Sequence, residues 1–171
     1  MSEPAPIIVS ALFHGEDQAW LDGLRRAHFP PARNHLAAHL TLFHHLPPSL
    51  ADEVRDRLTG LTRRVAAPQA EAAGLLDLGS GTAIRIVSPG LQAIRAELVE
   101  AFRGMLVPQD AAGWRPHVTI QNKVSATEGR ALRAMLAAEF DRPRSVRIAA
   151  LAAWWYRGGP WEALSRHPFG G

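Results

Sequence analysis

Apolar positions along the chain change period repeatedly, and the changes mark out an ordered series of elements. Ile7-Ile8-Val9 lies in a β-rich run from Pro6 to Phe13, and Glu16 to His28 then places Trp20, Leu21 and Leu24 at helical spacing. A strand and a helix are predicted there. Pro30-Pro31 breaks the chain before a second strand over Ala37 to Phe43. Ser49 is read as the N-cap of a helix whose stripe Leu50, Val54, Leu58, Leu61 and Val65 ends near Ala66, and a strand is predicted near Glu71 to Leu78. Beyond the turn Gly79-Ser80-Gly81 the order restarts. Thr82 to Val87 alternates as a strand, Ser88-Pro89 opens a helix with the stripe Leu91, Ile94, Leu98, Phe102 and Leu106, and a strand is predicted from His117 to about Val124. Ser125-Ala126-Thr127-Glu128 forms a capping box for a helix to about Phe140. A strand from Val146 to Tyr156 and a short one near Trp161 to Ser165 follow, separated by Gly158-Gly159-Pro160.

Each half therefore reads strand, helix, strand, helix, strand. Val9 to His39 and Ile86 to His117 differ in spacing by a single residue. The repeat predicts two similar lobes related by a pseudo-twofold axis. The third element of each half carries the same signature, His39-Leu40-Thr41-Leu42 and His117-Val118-Thr119-Ile120. In an extended strand, alternate side chains share a face, so each histidine lies beside its threonine with the apolar pair turned to the core. Two titratable rings brought together suit a reaction in which one gives a proton and the other takes one.

With 171 residues, 47% of them hydrophobic, the chain can bury a full core, and it is read as one domain over 1–171 with approximate halves 1–78 and 79–171. No apolar run reaches the roughly 20 residues of a membrane span, and the N-terminus Met1-Ser2-Glu3-Pro4 does not resemble a signal peptide, so a cytoplasmic protein is expected. The absence of cysteine removes thiolate nucleophiles, disulfides and thiolate metal sites. Net charge is a mild +3, and 18 of the 19 basic side chains are arginine, the exception being Lys123.

Paired His-x-Thr motifs, one per half, the second introduced by Arg115-Pro116, resemble the two-histidine (2H) phosphoesterase superfamily, which includes 2′-5′ RNA ligase and RNA cyclic phosphodiesterase-like proteins. With eight histidines in the chain, about 0.3 His-x-Thr matches are expected by chance, so the pair carries the weight that one copy would not. The resemblance implies an α+β fold of two pseudo-symmetric lobes, each an antiparallel sheet flanked by helices, with a central groove carrying one motif per lobe. It further implies a phosphoesterase that works without metal or other cofactor on the 2′,3′-cyclic phosphate or a related phosphodiester of an RNA end or nucleotide. His39 and His117 would be the acid/base pair, and Thr41 and Thr119 would hold non-bridging phosphate oxygens. His117 is assigned as base and His39 as acid, an order that reverses with substrate orientation.

The chain departs from the RNA cyclic phosphodiesterase branch in two places. His44-His45-Leu46-Pro47 stands where that branch has Phe-Leu-Gly, and Asn122 stands where it has an arginine. Arg115 and Lys123 are candidates to supply the missing cation. Phe43, on the predicted face of His39, is a candidate to stack a base, and Gln121 continues the face of His117 and Thr119. Tyr156 and Arg157 are further candidates for the groove, Tyr156 sharing a face with Trp154. Arg25-Arg26 and Arg63-Arg64 read as solvated helix ends. A nucleotide- or RNA-end-binding module of the same fold, and a metalloprotein built on His35, His39, His44 and His45, are the alternatives. A monomer is expected.

Overall fold

The structure is a computed structural model and describes residues 4–170. Met1-Ser2-Glu3, which entered the reading of the N-terminus, lies outside the described residues. In chain order the elements are β1 (Ile7–Phe13), α1 (Gly15–His28), β2 (Leu40–Leu46), α2 (Ala51–Arg64), β3 (Gln69–Asp77), β4 (Thr82–Val87), α3 (Pro89–Ala101), a four-residue α4 (Pro108–Ala111), β5 (His117–Gln121), α5 (Ala126–Leu136), β6 (Arg144–Trp155) and β7 (Glu162–Pro168). This is an α+β fold in which every strand pairing is antiparallel.

Two of the three serine caps form as expected. Ser88 Oγ accepts from Leu91 N at 3.2 Å and Ser125 Oγ accepts from Glu128 N at 3.1 Å, each satisfying an amide that the first helical turn leaves without a partner. Ser88 Oγ also donates to Gln69 O at 2.7 Å, which ties the start of α3 to β3. Ser49 makes no cap. Pro47-Pro48 opens a 3-10 turn closed by Leu50 N on Pro47 O, so α2 begins at Ala51 and Leu50 takes the capping position. Several strand ends also moved from expectation: β2 begins at Leu40 instead of Ala37, and β7 runs on to Pro168. β2 runs on through His44, His45 and Leu46, and β5 stops at Gln121 because Lys123 enters a left-handed turn at φ 62°.

The strands follow the order β2-β1-β6-β3-β4-β5, with β7 on β6. β6 is long enough to serve two neighbourhoods: Arg144 to Arg147 pair with β3, while Ile148 to Trp155 pair with β1 and the stretch from Ala150 also pairs with β7. β3, from the first half of the sequence, thus joins β4 and β5, whereas most of β6, from the second half, joins β1. Ile7, Val9 and Ala11 share one core with Val54, Leu58 and Leu61 of α2, and the same core takes in Ile84, Leu91, Ile94, Leu98, Leu132 and Leu136. Each fully buried leucine or isoleucine contributes roughly 1.5–3 kcal/mol relative to exposure.

β2 and β5, the motif strands, stand at opposite ends of the strand order yet approach one another. Side chains from the other half of the chain brace both. Arg25 of α1 donates to Thr119 O of β5 at 3.0 Å, and on β2 Trp114 Nε1 donates to Thr41 O at 3.1 Å while Arg95 Nε of α3 donates to Leu42 O at 2.9 Å. End strands expose backbone groups that need partners, and here arginine and tryptophan supply them. Gly81 fixes the far end of β5: a Cβ there would lie 2.0 Å from Gln121 O.

Candidate active site

Both motif histidines are anchored in the same way. His39, immediately before β2, and His117, the first residue of β5, each place Nδ1 on the carbonyl oxygen two residues upstream, Ala37 O at 2.8 Å and Arg115 O at 2.7 Å. A carbonyl only accepts, so Nδ1 carries the hydrogen in both rings and Nε2 is left for chemistry. His39, His117, Thr41 and Thr119 are all half-buried, whereas the intervening Leu40, Leu42, Val118 and Ile120 are buried in the core. The strand alternation read from the sequence is the alternation observed.

His39 is lowered from 6.5 to about 4, chiefly by burial; its bond to Ala37 O opposes this, and the charges of Arg25, His117 and His44 add to it. The approach of β2 to β5 brings the strands that carry the two rings beside each other. Trp161 supplies part of the cover, its ring 4.5 Å from that of His39 and 6.2 Å from Trp154. Around His39 lies a cavity of about 440 Å³, lined by Trp154, Trp161 and the run His35 to Ala38, with Ser10, Gln18 and Arg166 as polar groups. Trp154 is held in place by Nε1 donating to Ser10 Oγ at 2.9 Å.

Several expected contributors lie elsewhere. Phe43 is fully buried, edge-on to Phe102 with the Arg95 guanidinium over its face, so it is not open to stack a base. The register shift between Val9 and Ser10 in the β1–β2 pairing breaks the simple alternation that put it beside His39. Tyr156 is exposed beyond the end of β6, and Arg157 pairs with Glu162 and stacks against Trp155; neither lines the His39 cavity. Arg115 lines a separate cavity of about 600 Å³ with Arg85, Gln92 and Trp114, which neither motif histidine borders. Lys123 lines a third cleft. Gln121 follows Thr119 on β5 with its Oε1 buried and without a hydrogen-bond partner among the protein atoms.

Of the four histidines that suggested a metal site, His44 is tied to Asp110 at 3.0 Å and His39 to Ala37 O. Among the described residues, no three His, Asp or Glu side chains converge so as to hold a metal ion. Asp110 is 1% exposed. Burial pushes its carboxyl up, but the His44 side chain and the His44 and His45 amides, which all bond it, outweigh that and hold it below the ordinary value. Asp110 thereby fixes the end of β2. Arg25 was expected in solvent and is 5% exposed, with Nε on Asn34 Oδ1 at 2.8 Å and its guanidinium stacked on Phe29. Nothing in the local pattern distinguishes Arg25 from Arg26; the Trp161 position, after a Gly-Gly-Pro turn, had at least an aromatic residue as signal.

An α+β fold that brings two carbonyl-anchored His-x-Thr strands together defines a two-histidine phosphoesterase or RNA-ligase type of protein. The chain belongs to the 2′-5′ RNA ligase superfamily, whose family profile matches residues 13–160. A comparison with curated protein sequences gave no match. Among solved structures, E. coli LigT complexed with 3′-AMP is 19% identical with a TM-score of 0.61, covering 99% of this chain and 100% of LigT. LigT complexed with ATP gives 18% and 0.58, over 99% and 100% of the two chains. A Thermus thermophilus protein gives 17% and 0.59, over 96% and 97%. At these identities the likeness establishes the shared fold. No helix among the described residues is long and apolar enough to cross a membrane.

Proposed function

We propose that the protein opens 2′,3′-cyclic phosphates at RNA ends or on nucleotides by general acid/base catalysis between His39 and His117. The observation that carries this reading is the matched anchoring of the two rings, which leaves one Nε2 from each motif strand as the reacting atom. With its pKa near 4, His39 stands neutral at physiological pH and is the base. This reverses the order expected from the sequence. His39 Nε2 takes a proton from water as the water oxygen bonds phosphorus, and protonated His117 gives its Nε2 proton to the departing ribose oxygen as the P–O bond breaks. The product is a phosphomonoester, and proton exchange with solvent resets both rings. A bound phosphate anion raises the proton affinity of His39, so the base strengthens when substrate is in place. Thr41 and Thr119 hydroxyls donate to the non-bridging oxygens, where charge grows in the transition state.

The cavity beside His39 supports a nucleotide as ligand, since the Trp154 and Trp161 rings offer an aromatic wall next to the base catalyst. The complexes of LigT with 3′-AMP, ATP and NADP+ favour the same ligand class. The test is hydrolysis of 2′,3′-cyclic nucleotides and cyclic-phosphate-ended oligonucleotides by wild type, His39→Ala and His117→Ala. Each variant is expected to lose roughly 10²–10⁴-fold in kcat. Less than tenfold loss in either overturns the mechanism, and binding without turnover by wild type assigns the fold to a binding module.

A further inference from the structure

The third cleft, of about 480 Å³, is lined by Phe29, Ala32, Arg33, His35 and Lys123. His35 also lines the His39 cavity, so one side chain forms a wall common to both. The two loops that meet here are those attached to the motif strands: Arg33 lies between α1 and β2, and Lys123 lies two residues beyond the end of β5.

The charge of this cleft has one sign. Arg33, His35 and Lys123 line it with no acidic residue, and among the described residues none of the three forms an ion pair. Elsewhere, Arg57, Arg64, Arg103, Arg133 and Arg147 each face a carboxylate. Unneutralised cations on a concave surface attract an anion. Lys123 is also held in place by its own backbone. It is the only non-glycine residue at positive φ among those described, its N donates to Asn122 Oδ1 at 2.9 Å, and Val124 N donates to Ser80 O at 3.0 Å. Arg133 bonds Gly81 O and Thr82 Oγ1 beneath the same turn. The ammonium group is therefore presented from a braced turn.

We propose that this cleft is a second phosphate subsite, which holds the backbone phosphodiester next to the reacting phosphate and selects an RNA strand end over a free nucleotide. It rests on the function proposed above and gives Lys123 a partner other than the reacting phosphate. Arg33 and Lys123 hold the phosphodiester oxygens, and His35 separates that phosphate from the one between His39 and His117.

The test compares binding of a tetranucleotide ending in a 3′-phosphate with binding of a nucleoside 3′-phosphate, by calorimetry across a salt series, for wild type and an Arg33→Gln/Lys123→Asn double variant. Asparagine is chosen because it tolerates positive φ. In wild type the tetranucleotide is expected to bind at least tenfold tighter, with a log–log salt slope steeper by about 0.7, the value for one additional single-strand phosphate. The double variant is expected to lose both differences. Equal affinity and slope for the two ligands in wild type, or an advantage that survives in the double variant, overturns the subsite and leaves the two-histidine reading standing. Failure of both ligands to bind wild type overturns both.

Discussion

Replacing His39 with asparagine removes a ring that the fold holds neutral, and the consequence is measurable without any substrate. The ring has a pKa of about 4 in the folded protein and 6.5 when free of the fold. Between those values the unfolded chain binds the proton and the folded one does not, so stability is full above about pH 6.5 and is lost as pH falls toward 4. At about 1.4 kcal/mol for each tenfold change in proton affinity, the interval corresponds to roughly 3 kcal/mol. His39 keeps some contact with solvent, which screens its neighbours, and the expected loss is about 2 kcal/mol. Urea unfolding of wild type and His39→Asn at pH 7.5 and pH 4 measures it. The pH-independent part of the substitution cancels, and wild type should lose about 2 kcal/mol more than the variant, equivalent to roughly 4–8 °C in Tm for a chain of this size. An imidazole NMR titration places the proton on the ring directly. Parallel pH curves for the two proteins, or a His39 resonance titrating near 6.5, would refute the argument and with it the assignment of His39 as base.

Arg25→Met leaves Thr119 O and Asn34 Oδ1 without their donor inside the fold. With a buried unsatisfied acceptor costing about 1–3 kcal/mol, Tm should fall by roughly 5–10 °C and the His39 titration should move upward as the nearby charge disappears; an unchanged His39 titration would show that Arg25 is a brace alone. Trp161→Ala removes the aromatic wall beside His39. Loss of a stacking surface of about 1–3 kcal/mol should raise KM for a 2′,3′-cyclic nucleotide by tenfold or more with kcat within about threefold, and Trp161→Phe should restore most of it; a fall in kcat at unchanged KM would contradict a binding role.

The elements legible in the sequence were those governed by near neighbours. Ser88 and Ser125 cap their helices because the cap bond reaches only three residues ahead, and the His-x-Thr alternation held because a strand sets it locally. Ser49 failed for a local reason too, since two prolines closed a 3-10 turn ahead of the helix. Phe43 failed for a distant one: the register shift against β1 depends on a partner strand that the sequence pattern does not contain.

By itself, then, the sequence determined the two motif strands and the order of elements. Tertiary structure decided the rest. The division of β6 between β3 and β1, the burial of Arg25, the placement of Trp161 against His39 and the distance of Tyr156 from the cavity all depend on contacts between residues far apart in the chain. So does the proton affinity of His39. Its tetrapeptide pattern carries only the intrinsic value of an imidazole, and desolvation and neighbouring charge, which exist once the chain has folded, lower it.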